Sequence, residues 1–356
     1  MANVPLNIDV LVIAAFAPIL GVIAFWFLQL FMIEIQKRML SRLRHRHEAF
    51  CRFTNYIGIL FQAICQALGY TVTRSGIASF KVTVSEEQVE PKKEKEGVFD
   101  WISRSFLLFG PFFLPAGLVL LISYFIIGKG FVYLTPVDYT FVESLTGFWL
   151  SLSTLASEYI NFLVNIDLLN PLHVGFLCVL LFFGLGIRPS YIGEGRKEKI
   201  DMFHDLRQIK DHLIEKPWYI AVIILILYMF YILSLFINPV LYIGLFTIFG
   251  WLSLTAIIAI FLTFPLLLLL YATDEIRPRW HIIPFLTVIL SYVLARVVLF
   301  YYPTQKVNGI SILIMLLSTF LITMILIKYK KTNRFKPTPK MKHLRDSDGK
   351  KRTIKK

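Results

Sequence analysis

The sequence has few charged residues and few cysteines. Only 17% of its 356 residues are charged, whereas 56% are hydrophobic, and soluble domains carry roughly 25% charged residues. The three cysteines, Cys51, Cys65 and Cys178, form no CxxC pair, and each lies in or next to an apolar segment. A soluble domain is therefore not expected, and neither is a disulfide framework or a cysteine-rich zinc site.

Motifs of several enzyme classes are also missing. The sequence contains no Walker A loop, no GxGxxG after a strand, no GxSxG and no paired intramembrane histidines suited to haem. No cofactor is therefore predicted, and the sequence does not identify a substrate or a reaction.

Long apolar runs are abundant instead. Several reach the length of about 18 residues that crosses the hydrocarbon core of a bilayer. The clear spans are Ile8–Ile33, Phe106–Ile127, Pro171–Ile187, Trp218–Ile237, Leu241–Tyr271, Ile282–Tyr302 and Ile310–Ile327. The short segment Asn55–Gly69 and the more polar segment Phe141–Val164 are doubtful spans. The predicted fold is an all-α, polytopic membrane bundle of seven to nine spans, with a small β-hairpin as an appendage.

Five segments are predicted along the chain. They are a first span with a basic surface helix (1–53), a core with a β-hairpin loop at 71–105 (54–187), a cytoplasmic amphipathic segment (188–216), a four-span bundle (217–327) and a disordered basic tail (328–356). Alternating apolar residues after Gly69 predict the hairpin, with Ser75-Gly76 as its turn. The mixed-charge run Glu86–Glu96 is expected to be a solvated, flexible loop.

Basic residues concentrate outside the spans. Residues 37–52 contain six Lys/Arg, and Lys328–Lys356 contains 13 against two Asp, so +11 of the net charge of +14 lies in the last 29 residues. Because Lys and Arg favour the cytoplasmic side, the protein is expected to be multi-pass in the cell membrane, with its N-terminus outside and its C-terminus in the cytoplasm.

The basic segments are also predicted to attract anionic lipids of the bilayer. For the tail, Lys328–Lys356, the alternative partner is the ribosome or another acidic molecule. Deleting the tail and comparing membrane fractionation with ribosome sedimentation separates the two, because unchanged ribosome association would exclude the RNA alternative.

Four stretches follow one another in a distinctive order. FQAIC (Phe61–Cys65) is followed by ALGYTV, then by the strand-like segment, and then by SFLLFGPFFLPAG with its Gly110-Pro111. Over roughly residues 50–215 this order resembles the site-2-protease-like membrane metallopeptidases. In that family a membrane helix with HExxH precedes a β-hairpin and a helix that opens near Gly-Pro, and FQAIC stands in the place of HExxH.

The residues that HExxH needs for catalysis are absent. In that motif two histidines on one helix face bind zinc, and the glutamate is the general base. Phe61 cannot bind zinc, Gln62 cannot act as a base, and Cys65 alone does not make a zinc site. The resemblance therefore implies a pseudoprotease on a metalloprotease-like scaffold. The alternative is a buried helix in which Gln62 and Gln66 hydrogen-bond to neighbouring helices.

A second polar group precedes the Pro171 span. Its members are Asn165, Asp167, Asn170 and His173. The resemblance places His173 where the family has its third zinc ligand, whereas a competing alignment uses Pro189-Ser190 with Asp201 and Asp205. The alternatives are turn and cap residues of an extracellular loop, or a metal site of Cys65, Asp167 and His173.

Charged residues inside predicted spans form a further candidate site. Arg296 lies in the Ile282–Tyr302 span, and Glu143 and Glu158 lie in the more polar segment. A charge inside a span is expected to face a partner or water, so a glutamate is the predicted partner of Arg296. The alternative is that Arg296 snorkels to the membrane surface or closes a structural ion pair.

Three functions are compatible with these patterns. The first is a non-catalytic scaffold or partner-binding subunit that holds other membrane proteins. The second is a carrier for a small solute or lipid, which would use Arg296 and the neighbouring Glu, Asn and Asp side chains. The third is an atypical membrane metallopeptidase.

Overall fold

The computed structural model describes residues 8–44, 46–83, 87–127, 131, 139–187, 204–238, 240–276, 280–301, 306–334, 343–345 and 351–353. The chain divides into two compact units, Met1–Leu267 and Leu268–Lys356. We call them unit 1 and unit 2.

Helices make up most of the described residues. A short π-helical segment, Asp9–Ile13, comes first. The α-helices are α1 (Phe16–Leu43), α2 (Glu48–Val72), α3 (Val98–Ile127), α4 (Phe141–Val164), α5 (Pro171–Gly186), α6 (His204–Glu215), α7 (Pro217–Ile237), α8 (Val240–Asp274), α9 (Ile283–Leu299) and α10 (Val307–Arg334).

Five of these helices are long and apolar enough to cross a membrane. They are α1, α3, α7, α8 and the part of α10 up to Lys330, and α5 and α9 are apolar but shorter. The prediction of a helical membrane protein is confirmed, whereas the count of seven to nine spans is not. The doubtful segment Phe141–Val164 has the bounds of α4, and Asn55–Gly69 is the apolar part of α2.

The predicted basic surface helix has no helix of its own. Helix α1 continues past Ile33 to Leu43, and α2 begins at Glu48. The basic segment is helical up to Leu43, because no glycine or proline interrupts it there and because Gln36 and Lys37 are buried within unit 1. The basic residues from Lys37 to Arg42 thus belong to α1.

The small antiparallel sheet is confirmed, but its predicted turn is wrong. Strand β1 (Ile77–Val82) pairs with β2 (Glu87–Pro91), and Phe80 lies opposite Val89. Ser75 and Gly76 precede β1, because α2 extends to Val72 and Gly76 adopts a positive φ of 70° that leads the chain out of the helix. Part of the expected loop Glu86–Glu96 is therefore strand β2.

The division into units differs from the predicted four-span bundle 217–327. Helix α7 and α8 up to Leu267 belong to unit 1, whereas α9 and α10 belong to unit 2. Unit 1 includes α7 because the Tyr228 hydroxyl donates to the Leu11 carbonyl and the Tyr231 hydroxyl donates to the Val10 carbonyl.

The two basic regions of the second half are only partly described. Helix α6 confirms a helix in the predicted amphipathic segment, and residues 188–203 lie outside the described residues. Lys328–Arg334 continues α10, and β3 (His343–Arg345) pairs with β4 (Lys351–Thr353), in contrast to the predicted disorder. The remaining tail residues lie outside the described residues.

The core of unit 1 depends on close contacts at glycines. The Phe148 ring lies between Gly21 of α1 and Gly250 of α8, where an added Cβ would be 2.5 and 2.7 Å from ring atoms. Gly184 of α5 lies against the backbone of Ala259 in α8. These contacts bring α1, α4, α5 and α8 together around one hydrophobic cluster.

Candidate functional site

The FQAIC stretch is packed tightly inside unit 1. Phe61 is 4% exposed, and its ring lies 5.5 Å from that of Phe183 in α5. Cys65 is buried against Gly110 of α3, where an added Cβ would lie only 2.6 Å from the thiol sulfur. Phe61 and Cys65 are therefore in close contact with α5 and α3.

Helix α2 carries two glutamines, Gln62 and Gln66. Gln66 Nε2 donates to the Tyr70 hydroxyl of the same helix at 3.1 Å. Gln62 is half-buried and lies one turn before it. The bond that the structure shows for Gln66 is thus within α2, and its bond to another helix stays a prediction.

The second polar group closes the turn between α4 and α5. Asn165 Nδ2 donates to the Asn161 carbonyl at 2.8 Å. Asn170 caps α5 by accepting from the Leu172 amide at 2.9 Å. His173 Nδ1 accepts from the Asp167 amide at 3.0 Å. These are the bonds of turn and cap residues, in line with that sequence-based alternative.

Phe61 and His173 lie towards different ends of α5. Helix α2 packs on the C-terminal part of α5, at Phe183 and Gly186, whereas His173 lies in its first turn. Ten residues of helix separate His173 from Phe183, a rise of about 15 Å. No group of three or more His, Cys, Asp or Glu suited to a metal is found in the described part of the chain. The competing alignment at Pro189-Ser190 lies outside the described residues.

Arg296 has a partner within unit 2. It lies in the last turn of α9, and its Nη1 donates to Asn308 Oδ1 near the start of α10. Glu143 is in the first turn of α4, where Thr140 caps its amide, and Glu158 is half-buried on the same helix. Both glutamates belong to unit 1, so their pairing with Arg296 stays a prediction.

Buried amides of α1 are the polar feature that the sequence analysis missed. Gln29 and Gln36 are 0% exposed. Gln29 Nε2 donates to the Phe112 carbonyl of α3 at 2.9 Å. Gln36 Nε2 donates at 3.0 Å to the Gly184 carbonyl and to Thr263 Oγ1. The sequence carries part of this signal, because residues seven apart share one helix face, but only Gln29 lies within the apolar run.

Three buried atoms of α1 have no hydrogen-bond partner in the described part of the chain. They are Trp26 Nε1, Gln29 Oε1 and Gln36 Oε1. Buried polar atoms usually bind a partner or an ordered water. The inner face of α1 can therefore offer one donor and two acceptors to water or to a small polar solute.

Comparisons with protein-family models, with curated proteins and with solved structures found no match. The assignment thus depends on the helices themselves, five of which can span a bilayer. The chain is a membrane protein. Its helices pack through glycine contacts and buried amides, which are typical of helix association in membranes.

Proposed function

We propose that this membrane protein is a non-catalytic subunit that binds another membrane protein through the outward side of α4. The inward side of α4 carries Phe148, Leu152, Leu155 and Tyr159, all buried in the core of unit 1. We define the outer α4 face as Thr146, Leu150, Ser153, Ser157 and Asn161, which lie on the opposite side of the helix.

Polar groups on the outer α4 face are the observation that carries this proposal. Thr146, Ser157 and Asn161 are exposed between apolar residues. By contrast, α7 exposes only apolar side chains from Val222 to Ile226. Lipid covers apolar side chains well, but hydroxyl and amide groups are enriched where membrane helices meet.

The serine hydroxyls of the outer α4 face can accept hydrogen bonds from a partner helix. Ser153 Oγ donates to the Leu150 carbonyl at 2.9 Å, and Ser157 Oγ donates to the Ser153 carbonyl at 2.8 Å. Each hydroxyl proton is thus satisfied inside α4, while the oxygen lone pairs can still accept from a partner helix.

We expect Asn161→Leu to weaken partner binding by about 0.6 kcal/mol, roughly threefold, which is the average for one interhelical hydrogen bond in a membrane protein. Co-purification from native membranes in mild detergent measures the bound fraction. Ile160→Leu, a neighbouring change at an exposed apolar position, is the matched control and is expected to leave binding unchanged.

A photo-crosslinking amino acid identifies the partner. At Ser157 it is expected to give a discrete crosslinked product, whereas at Ile224 of α7, which is 53% exposed, it is expected to give none. A product of twice the chain mass identifies the partner as a second copy. Equal crosslinking at both positions, or none at either, contradicts the proposal.

A carrier for a small solute is the second candidate function. The unpartnered atoms Gln29 Oε1, Gln36 Oε1 and Trp26 Nε1 favour it, because they are buried along one helix. A purified monomer that shows no crosslink at Ser157 and retains a polar solute would favour the carrier. Loss of that solute in Gln36→Leu would place it at the inner face of α1.

We also propose that the chain is a pseudoprotease, as its resemblance to the site-2-protease-like family implies. The contact between Cys65 and Gly110 supports this, because it fills the space beside the former motif. Purified protein is expected to contain no stoichiometric zinc by elemental analysis. Stoichiometric zinc that Cys65→Ala removes would instead support an atypical metallopeptidase.

The orientation is a further proposal, with the N-terminus outside and the C-terminus in the cytoplasm. Helix α7 begins beside Trp101 at Tyr219 and reaches Val10 at Tyr231, so these contacts mark two ends of unit 1. Gln36 lies next to the basic end of α1 and bonds to the Gly184 carbonyl near the C-terminal end of α5. Helix α6 is the next helix along the chain. A basic cytoplasmic end would attract anionic lipids. Arg44→Cys in a Cys178→Ser background should react with an impermeant maleimide only after permeabilisation.

A further inference from the structure

Helix α6 is fixed to unit 1 by a small aromatic and polar cluster. The rings of Trp101 in α3 and His212 in α6 stack at 5.0 Å with an interplanar angle of 13°. His212 Nε2 is 2.9 Å from Ser105 Oγ, and Trp101 Nε1 donates to the His212 carbonyl at 3.4 Å. Tyr219 of α7 meets the Trp101 ring edge-on at 5.6 Å. We call Trp101, Ser105, His212 and Tyr219 the α6 anchor.

Helix α6 needs this anchor to stay ordered. It has 12 residues, a length at which an isolated helix is marginal in water. Only His212 and Ile209 of its described side chains are buried, at 6% and 5% exposure. Ile209 packs in the core of unit 1. Leu213 of α6 is partly buried and packs against the same core. The docking of α6 therefore depends on two apolar side chains and one titratable side chain.

Charged groups approach His212 from each neighbouring helix. Asp100 and Arg104 of α3 form an ion pair at 3.0 Å. Glu215 follows on α6, and the Lys216 ammonium, just before α7, lies 5.6 Å from the Tyr219 ring centre. Asp100 and Glu215 favour an imidazolium, whereas Arg104 disfavours it. Because Asp100 is already paired with Arg104, its effect on His212 is reduced.

Burial decides the net direction. It lowers the pKa of His212 from its ordinary value of 6.5, and it outweighs the raising effect of Glu215 and Asp100. An undocked α6 would expose His212 and return its pKa to the ordinary value. The undocked form therefore takes up the proton more readily, so docking is strongest above pH 6.5 and weakens as the pH falls below it.

We propose that α6 is a pH-sensitive latch, which is docked on α3 while His212 is neutral and is released when His212 is protonated. This inference does not depend on the proposed partner-binding function, because it uses neither the outer α4 face nor a partner. One proton is taken up on release, so each pH unit below 6.5 shifts the docking equilibrium by up to about tenfold until the docked form also titrates.

Distances between two spin labels in the full chain test the latch. Labels at Lys210→Cys on α6 and Thr71→Cys on α2, both exposed positions in unit 1, are measured by pulsed dipolar electron paramagnetic resonance in lipid nanodiscs. Cys178→Ser removes the exposed native thiol, and Cys51 and Cys65 are buried. The distance distribution is expected to be narrow at pH 7.5 and to gain a broad component at pH 5.5.

Two variants provide the references. His212→Gln keeps an amide that can bond to Ser105 but cannot titrate, so its distribution is expected to be the same at both pH values. Ile209→Asn is expected to show the broad component at both. Two results would overturn the latch. The first is that the unchanged chain shows no pH effect, which is expected if the indole face of Trp101 stabilises the imidazolium. The second is that His212→Gln responds to pH as strongly as the unchanged chain.

Discussion

Gly184→Ala is expected to destabilise unit 1 by about 1–3 kcal/mol, or more if the backbone cannot adjust. An added Cβ at Gly184 would lie 2.7 Å from the carbonyl carbon of Ala259 and still closer to its oxygen. Both atoms belong to the backbone of α8, so no side-chain rotation relieves the overlap. The same shift would stretch the bonds that Gln36 Nε2 makes to the Gly184 carbonyl and to Thr263.

Gly175→Ala in the same helix is the matched control. No heavy atom lies within 4 Å of an added Cβ there, so only the helix propensity changes, which favours alanine by about 1 kcal/mol in water. Thermal unfolding of purified protein in mild detergent is the measurement. Gly184→Ala should lower the melting temperature, whereas Gly175→Ala should leave it unchanged or raise it. Equal responses at the two positions would mean that α5 and α8 are not in backbone contact.

The helical part of the fold was predictable because long apolar runs end at polar residues. The bounds of α4 agree with the sequence prediction, and those of α7 and α5 differ from it by one residue. The hairpin was predictable as a motif but not in its register, because alternation alone cannot tell the end of α2 from the start of a strand. Val72 could belong to either, and the positive φ of Gly76 becomes visible only in the structure.

The candidate site was less predictable, because distances between helices decide it. The sequence identified Cys65 and His173 as polar residues in plausible places. Cys65 lies against Gly110 of α3 and His173 lies in the first turn of α5, and no local pattern specifies these positions. The buried amides Gln29 and Gln36 were overlooked for the opposite reason. Gln29 is a single polar residue in an apolar run, whereas Gln36 lies among the polar residues after that run. Only the contacts with α3, α5 and α8 show what each glutamine bonds to.

Phe148→Ala is expected to cost unit 1 about 3 kcal/mol, at the low end of the range for a buried phenylalanine. The side chain is 1% exposed and fills the space between α1 and α8. In a bilayer the exposed alternative is lipid, which is as apolar as the core, so the loss comes mainly from van der Waals contacts across the cavity. Phe125→Ala, at a position 76% exposed, is the control and should have little effect.

A double variant tests whether the cavity left by Phe148→Ala causes the loss of stability. Gly21→Ala alone should destabilise unit 1, because its Cβ would lie 2.5 Å from the Phe148 ring. Combined with Phe148→Ala the same methyl group points into the cavity, so the double variant should be more stable than the two single effects predict. Contacting residues usually show couplings of about 0.5–3 kcal/mol. Strict additivity in thermal unfolding would show that the Phe148 ring does not contact Gly21 of α1, and the packing of unit 1 around this ring would have to be revised.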